Sequence, residues 1–377
     1  MKGFGELSVK EYMNRAWEAG SSEESIEILM RAALMADRAG DAKLGHQARA
    51  RLVEESHSAD AAYEMLAGFG RMLHSSEWTG SYMEMWCYKW VFHSLLEVAS
   101  ISLDQIWAVF ADFEQRYKDA SLGSSAVEKI RLEIALGAGQ IEQAKAIHDI
   151  WKDDPKKAGS DCRACDLDSE VVYLLNLGDV SEAIEVAQPI IAGTERCASV
   201  PQSTFGALVI PALEAGEYDL AGDLLRRGYP LVSSSRGYLN FASMHTIAFA
   251  CSGHWSRAIN GVGSRMAWLG TTRNDDKRFW SLLACESAFD AAWRAGESVT
   301  VVSGIMPAGV HEADGLYDTQ RMRDWFGARV DELALKFDTR NSTAKYTDVV
   351  SRCRKLIGRG ITIDLDSDDD LDEDEHP

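Results

Sequence analysis

The sequence predicts an all-α fold, a single continuous array of antiparallel helix hairpins, and three observations predict it. A glycine followed five residues later by an alanine recurs at Gly139 and Ala144, Gly178 and Ala183, Gly216 and Ala221, and Gly253 and Ala258. Successive glycines lie 39, 38 and 37 residues apart, a period that marks a stack of similar units. The second residue after each glycine is apolar or aromatic (Ile141, Val180, Tyr218, Trp255). The chain of 377 residues holds only seven prolines and is 46% hydrophobic, which suits long helices around a sizeable core.

The elements follow in order. Residues 1–20 form a short amphipathic lead-in with Leu7, Tyr12, Ala16 and Trp17 as its large apolar members. Ser21 and Ser22 precede Glu23 and Glu24, an N-cap signal for a helix running to Ala39. Gly40 and Asp41 break it before a helix over 42–55, a hairpin with Gly45 where the later copies have alanine. Helices are expected over 58–75, 82–99 and 103–119, the last with Ile106, Phe110 and Phe113 at helical spacing. The clear copies pair 124–136 with 140–152, 168–177 with 181–191, 204–215 with 218–231, and 239–251 with 255–269. A helix over 279–295 begins another pair. Residues 299–305 are β-branched and fit an extended segment, and helices follow over 319–337 and 344–357. The organisation is thus 1–120 degenerate hairpins, 121–296 regular repeats, 297–357 a helical cap, and 358–377 a disordered acidic tail.

Each residue type has a physical reason. A hairpin turn of two or three residues needs a C-cap at positive φ, which glycine adopts without a Cβ penalty. The alanine falls in the first turns of the second helix, where a larger side chain would push the pair apart. Acidic residues after the glycines (Glu142, Asp179, Glu217, Asp219) complement the positive end of the helix dipole.

These segments, Leu177-Gly178-Asp179-Val180-Ser181-Glu182-Ala183, Ala215-Gly216-Glu217-Tyr218 and Ser252-Gly253-His254-Trp255, resemble the tetratricopeptide-repeat family. The likeness covers roughly residues 120–270 well and 20–120 loosely, with a period longer than the family's usual length of about 34. It implies a right-handed superhelical solenoid whose first-helix faces bind a peptide or protein. The segments Asp161-Cys162-Arg163-Ala164-Cys165 and Cys197-Ala198-Ser199-Val200-Pro201 also resemble a group of bacterial tetratricopeptide-like proteins, a likeness that implies no activity.

Cys162 and Cys165 have metal-ligand spacing. They are expected in the loop after one second helix, and Cys197, 35 residues on, in the loop after the next, so the repeat stacks the two loops. Three readings stand: small apolar plugs between loops, a structural zinc site on Cys162, Cys165 and Cys197, or a redox pair. The zinc reading lacks a fourth ligand. Asp161 and Asp166 are near in sequence, and Gln202, where the bacterial group leads one to expect histidine, is a poor zinc ligand. No other cofactor is expected. Lys129, Arg131, Tyr173, Asn176, His245, Arg278 and Trp280 fall on or beside first helices and are candidates for a partner groove, although a solvated face, or a satisfied core position for His245, is the plainer reading of each. His311-Glu312 lacks a second histidine four residues on, and no phosphate loop or nucleophile elbow occurs.

The formal net charge is −20. Residues 364–377 hold nine acidic side chains and no basic one, and the remaining body is still acidic, which argues against nucleic-acid or anionic-membrane binding. No apolar stretch has the length of a signal peptide or a membrane span. Seven irregularly spaced cysteines fit reduced thiols in a cytoplasm. The expectation is a cytoplasmic, non-catalytic scaffold or adaptor for a protein or peptide. Alternatives are a ligand- or peptide-sensing regulator, an enzyme using Cys162 and Cys165, and an acidic mimic that occupies a nucleic-acid-binding partner.

Overall fold

The glycine turns form where the period puts them. In the computed structural model, which describes residues 7–20, 23–156, 158–307 and 309–365, Gly139, Gly178, Gly216 and Gly253 take φ of 72°, 88°, 84° and 86°. The residue after each glycine donates its N–H back across the cap: Gln140 to Ala135 O at 2.9 Å, Asp179 to Leu174 O at 3.0 Å, Glu217 to Ala212 O at 2.9 Å, His254 to Phe249 O at 2.9 Å. This six-to-one bond satisfies a carbonyl the helix end would otherwise orphan. Ala144, Ala183, Ala221 and Ala258 are each 0% exposed, as close helix approach requires.

Seventeen α-helices occur among the described residues: α1 (Val9–Ala19), α2 (Glu23–Ala39), α3 (Ala42–Ser58), α4 (Ala62–Leu73), α5 (Tyr82–Leu96), α6 (Leu103–Asp119), α7 (Ser124–Gly137), α8 (Ile141–Asp153), α9 (Arg163–Leu177), α10 (Val180–Ile191), α11 (Gln202–Ala215), α12 (Tyr218–Val232), α13 (Leu239–Cys251), α14 (Trp255–Thr271), α15 (Asp275–Arg294), α16 (Thr319–Asn341) and α17 (Lys345–Ile357). The fold is all-α, as expected. The β-branched stretch contributes a small antiparallel ribbon, β1 (Val299–Val301) on β2 (Leu316–Asp318), with Thr300 opposite Tyr317. Residues 21 and 22, the expected N-cap of α2, lie outside the described residues. Capping boxes instead start α1 (Ser8 with Glu11), α5 (Ser81 with Glu84) and α6 (Ser102 with Gln105).

The hairpins pack in two layers. The first helices α7, α9, α11, α13 and α15 each touch the next first helix as well as their own partners. Burial follows: α13 is buried nearly all round, whereas α8 buries Ala144, Ile147 and Trp151 on one stripe. One apolar core runs from Leu132 through this layer to Leu365, and two smaller cores fill α3–α7 and α1–α3. The first helices approach so closely that a Cβ on Gly206 of α11 would lie 2.7 Å from Cδ1 and 2.9 Å from Cβ of Phe241. Gly206→Ala is therefore expected to force α11 and α13 apart and to cost about 1–3 kcal/mol in urea unfolding.

The array closes on itself. Asp60, in the turn between α3 and α4 at φ 61°, accepts from Thr272 Oγ1 at 2.8 Å and lies 3.2 Å from Lys277 Nζ and 3.5 Å from Arg236 Nε. Arg273 pairs with Glu64 at 2.6 Å, and Arg236 also pairs with Glu23. Asn274 donates to Glu97 at 2.7 Å, and Asp276 N donates to Glu97 O at 3.1 Å. Arg340 Nη1 donates to Leu96 O at 2.9 Å and Val98 O at 3.0 Å. The first hairpins thus meet the α14–α15 turn and the end of α16.

The start of the expected disordered tail departs from that expectation. Ile361, Ile363 and Leu365 are buried at 7–8% exposure. Ile363 N donates to Ser252 O at 3.3 Å, and His254 Nε2 donates to Ile363 O at 2.7 Å. The alternating apolar residues anchor 361–365 beside Gly222 of α12. The rest of the expected tail, 366–377, lies outside the described residues.

Candidate functional site

The three cysteines meet. The sulfurs of Cys162, Cys165 and Cys197 all lie within 4.8 Å of one another. The repeat brought the right loops together, but the local placement differs from expectation. Helix α9 begins at Arg163 rather than near 168, so Cys162 is its N-cap and Cys165 sits in its first turn. Cys162 caps the helix from extended backbone without a side-chain hydrogen bond, and Asp166 N donates to Cys162 O at 3.0 Å. Burial would raise the Cys162 thiol. The backbone amides of Cys165 and Ala164 and the neighbouring Cys197 and Cys165 thiols outweigh burial and hold it below its ordinary value. Burial, and hydrogen bonds to Cys197 and Cys162, push the Cys165 thiol up. Cys197 enters from the 192–201 loop, fixed by its N–H donating to Val200 O at 3.0 Å and by Tyr238 OH donating to Ala198 O at 3.1 Å.

An ion network lies beneath the cluster. Lys129, buried on α7, donates to Cys165 O at 3.1 Å and pairs with Asp161 at 2.8 Å and Asp166 at 3.2 Å. Lys89, buried on α5, pairs with Asp161 and donates to Gly159 O at 3.1 Å. Burial alone would raise Asp161; the two ammonium groups overcome it and hold the carboxyl at about 2. Lys156 lies 3.5 Å from Asp166. Both aspartates considered as fourth metal ligands are therefore occupied by lysines. The Gln202 side-chain oxygen is buried without a hydrogen-bond partner.

The residues expected to line a partner groove do not converge. Lys129 belongs to the thiol network, and Tyr173 is buried against the His148 ring at 3.8 Å. His245 is 0% exposed within α13. Arg131 pairs with Glu114 at 2.7 Å, Asn176 donates to Val172 O at 2.8 Å, and Trp280 is half-buried against Phe279.

Arg278 alone of that set lines a large groove, of ≈1110 Å³, which the closure creates between 99–102, the α14–α15 turn and the second half of α16. Tyr63, Leu269, Leu282, Pro307, Leu333 and Leu335 supply its apolar lining. Arg278, Arg329, Lys336 and Arg340 bring four cations against Asp275 and Glu332. Leu335 is 63% exposed, and Arg340 Nη2 is buried with no partner. Sequence reading missed Leu335, Lys336 and Arg340: Arg340 lies beyond 337, where the expected helix ended, and Leu335 and Lys336 lie within it but carry no local mark of a surface assembled from distant segments.

No helix among the described residues is long and apolar enough to cross a membrane. No family model matches the chain, and a comparison with curated proteins found no match.

Proposed function

We propose that this protein is a non-catalytic scaffold or adaptor of the tetratricopeptide-like, right-handed superhelical kind. It docks an acidic segment of another protein, carrying apolar anchors, in the groove at the closure. The observation that carries this reading is the gathering of four cations against two carboxylates, Lys336 pairing with Glu332 and Arg278 with Asp275, around the exposed Leu335 and Tyr63 on a chain whose net charge is −20. Apolar side chains such as Leu335 and Tyr63 provide the burial that holds a partner, and the rim charges select its sign and speed its arrival. The Gly–Ala period supports the same reading, since stacked hairpins present extended surfaces to macromolecules.

The test is capture from native host lysate at low salt with the full chain. Leu335→Asp/Lys336→Glu is expected to lower recovery of the captured species by roughly tenfold, whereas Lys145→Glu, on the exposed face of α8, leaves it unchanged. Raising the salt is expected to release the partner. Equal recovery by both variants would contradict the reading.

A further inference from the structure

We propose that Cys162, Cys165 and Cys197 bind one thiophilic d¹⁰ cation, zinc being the probe case, as three thiolates whose fourth coordination position is open to an exogenous ligand. This goes beyond a closed structural centre and rests on residues apart from the groove, so either proposal can fail alone.

The geometry comes first. Tetrahedral zinc with Zn–S near 2.3 Å sets its sulfurs about 3.8 Å apart. Three sulfurs already within 4.8 Å of one another need only a small contraction, made by side-chain rotation. The spacing of two residues wraps Cys162 and Cys165 around the first turn of α9, and the stacked loop delivers Cys197 across 35 residues.

Charge comes second. Three thiolates on a divalent cation leave one negative charge. The N-terminal end of α9, where Cys162 and Cys165 lie, faces it, and Lys129 Nζ sits on the Cys165 carbonyl at 3.1 Å.

Ligand count comes third. Among the described residues, no histidine or carboxylate joins the three sulfurs, and Asp161 and Asp166 are held by Lys89, Lys129 and Lys156. Cys162 and Cys197 are exposed, so the remaining position faces solvent. Structural zinc sites close with four protein ligands; a site with three keeps a position for water or a small ligand.

The experiment is a cobalt titration of the full chain, stripped of metal under reducing conditions, followed by displacement with zinc. One equivalent should bind with near-ultraviolet thiolate-to-cobalt charge-transfer bands and the intense visible bands of four-coordinate cobalt. Cys197→Ser and, separately, Cys162→Ser should each weaken binding at least tenfold, with helical content checked by circular dichroism. Adding imidazole or a small thiol should shift the visible bands, which reports the open position. Zinc should also raise the thermal midpoint of the wild-type chain. No stoichiometric cobalt on the wild type, or binding unchanged in both serine variants, would overturn the site. Visible bands that ignore added imidazole and thiol would overturn the open position.

Discussion

Asp60→Ala is expected to cost about 3–5 kcal/mol, because it strands buried cations rather than simply deleting a contact. The Asp60 side chain is 0% exposed and faces Lys277, itself 7% exposed, at 3.2 Å, with Arg236 at 3.5 Å and Thr272 at 2.8 Å. Asp60→Asn keeps the size and the tolerance of left-handed backbone but loses the charge, so it is expected to lose most of the same free energy. Adding Lys277→Met to Asp60→Asn, which keeps a residue tolerant of φ 61° and removes the more buried cation, is expected to recover part of it, which separates a stranded charge from a lost shape. Urea unfolding at neutral pH reads all four proteins. A loss below about 1 kcal/mol for Asp60→Ala would mean that the closure is not held by this carboxylate.

Acid is expected to destabilise the chain through His245. Burial in α13, and then the nearby Arg265 charge, hold its imidazole at about 3. Neither ring nitrogen has a hydrogen-bond partner, and Cε1 would lie 2.6 Å from a Cβ on Gly228, so the ring has no room to reach solvent. The folded state binds the proton more weakly than the unfolded state, whose value is near 6.5. Stability from this group is therefore fully present above about pH 6.5, and it is lost as the pH falls from there towards 3. The loss is about 2 kcal/mol by pH 5. His245→Leu removes this step, so wild type and variant should differ in the pH dependence of their unfolding midpoints between pH 7 and pH 5. Identical slopes would show that the imidazole is not buried in its neutral form. Asp161, held at about 2, adds a separate step only below about pH 4.

The repeat was legible because its physics is local. A positive-φ cap and a close helix crossing each demand one residue type, so Gly178 and Ala183 announce a turn and a contact without any knowledge of the rest of the chain. The convergence of the cysteines followed from the same frame. The closure was not legible, because Asp60 and Lys277 are single residues 217 positions apart in different turns, and no periodicity links them. Lys129 looks from sequence like a groove residue on a first helix. Asp161 makes it a buried ion-pair member, and that depends on the path of residues 158–162. The alternation of Ile361, Ile363 and Leu365 was present in the sequence, but the acidic run that follows masked it.

The most direct test of the docking account is amide hydrogen exchange on the full chain with and without its captured partner. Slowed exchange is expected in residues 99–102 and in the second half of α16, 329–340, around Leu335 and Arg340, while α8, α10 and α12 stay unchanged. Protection confined to α8, α10 and α12, with 329–340 unaltered, would contradict it.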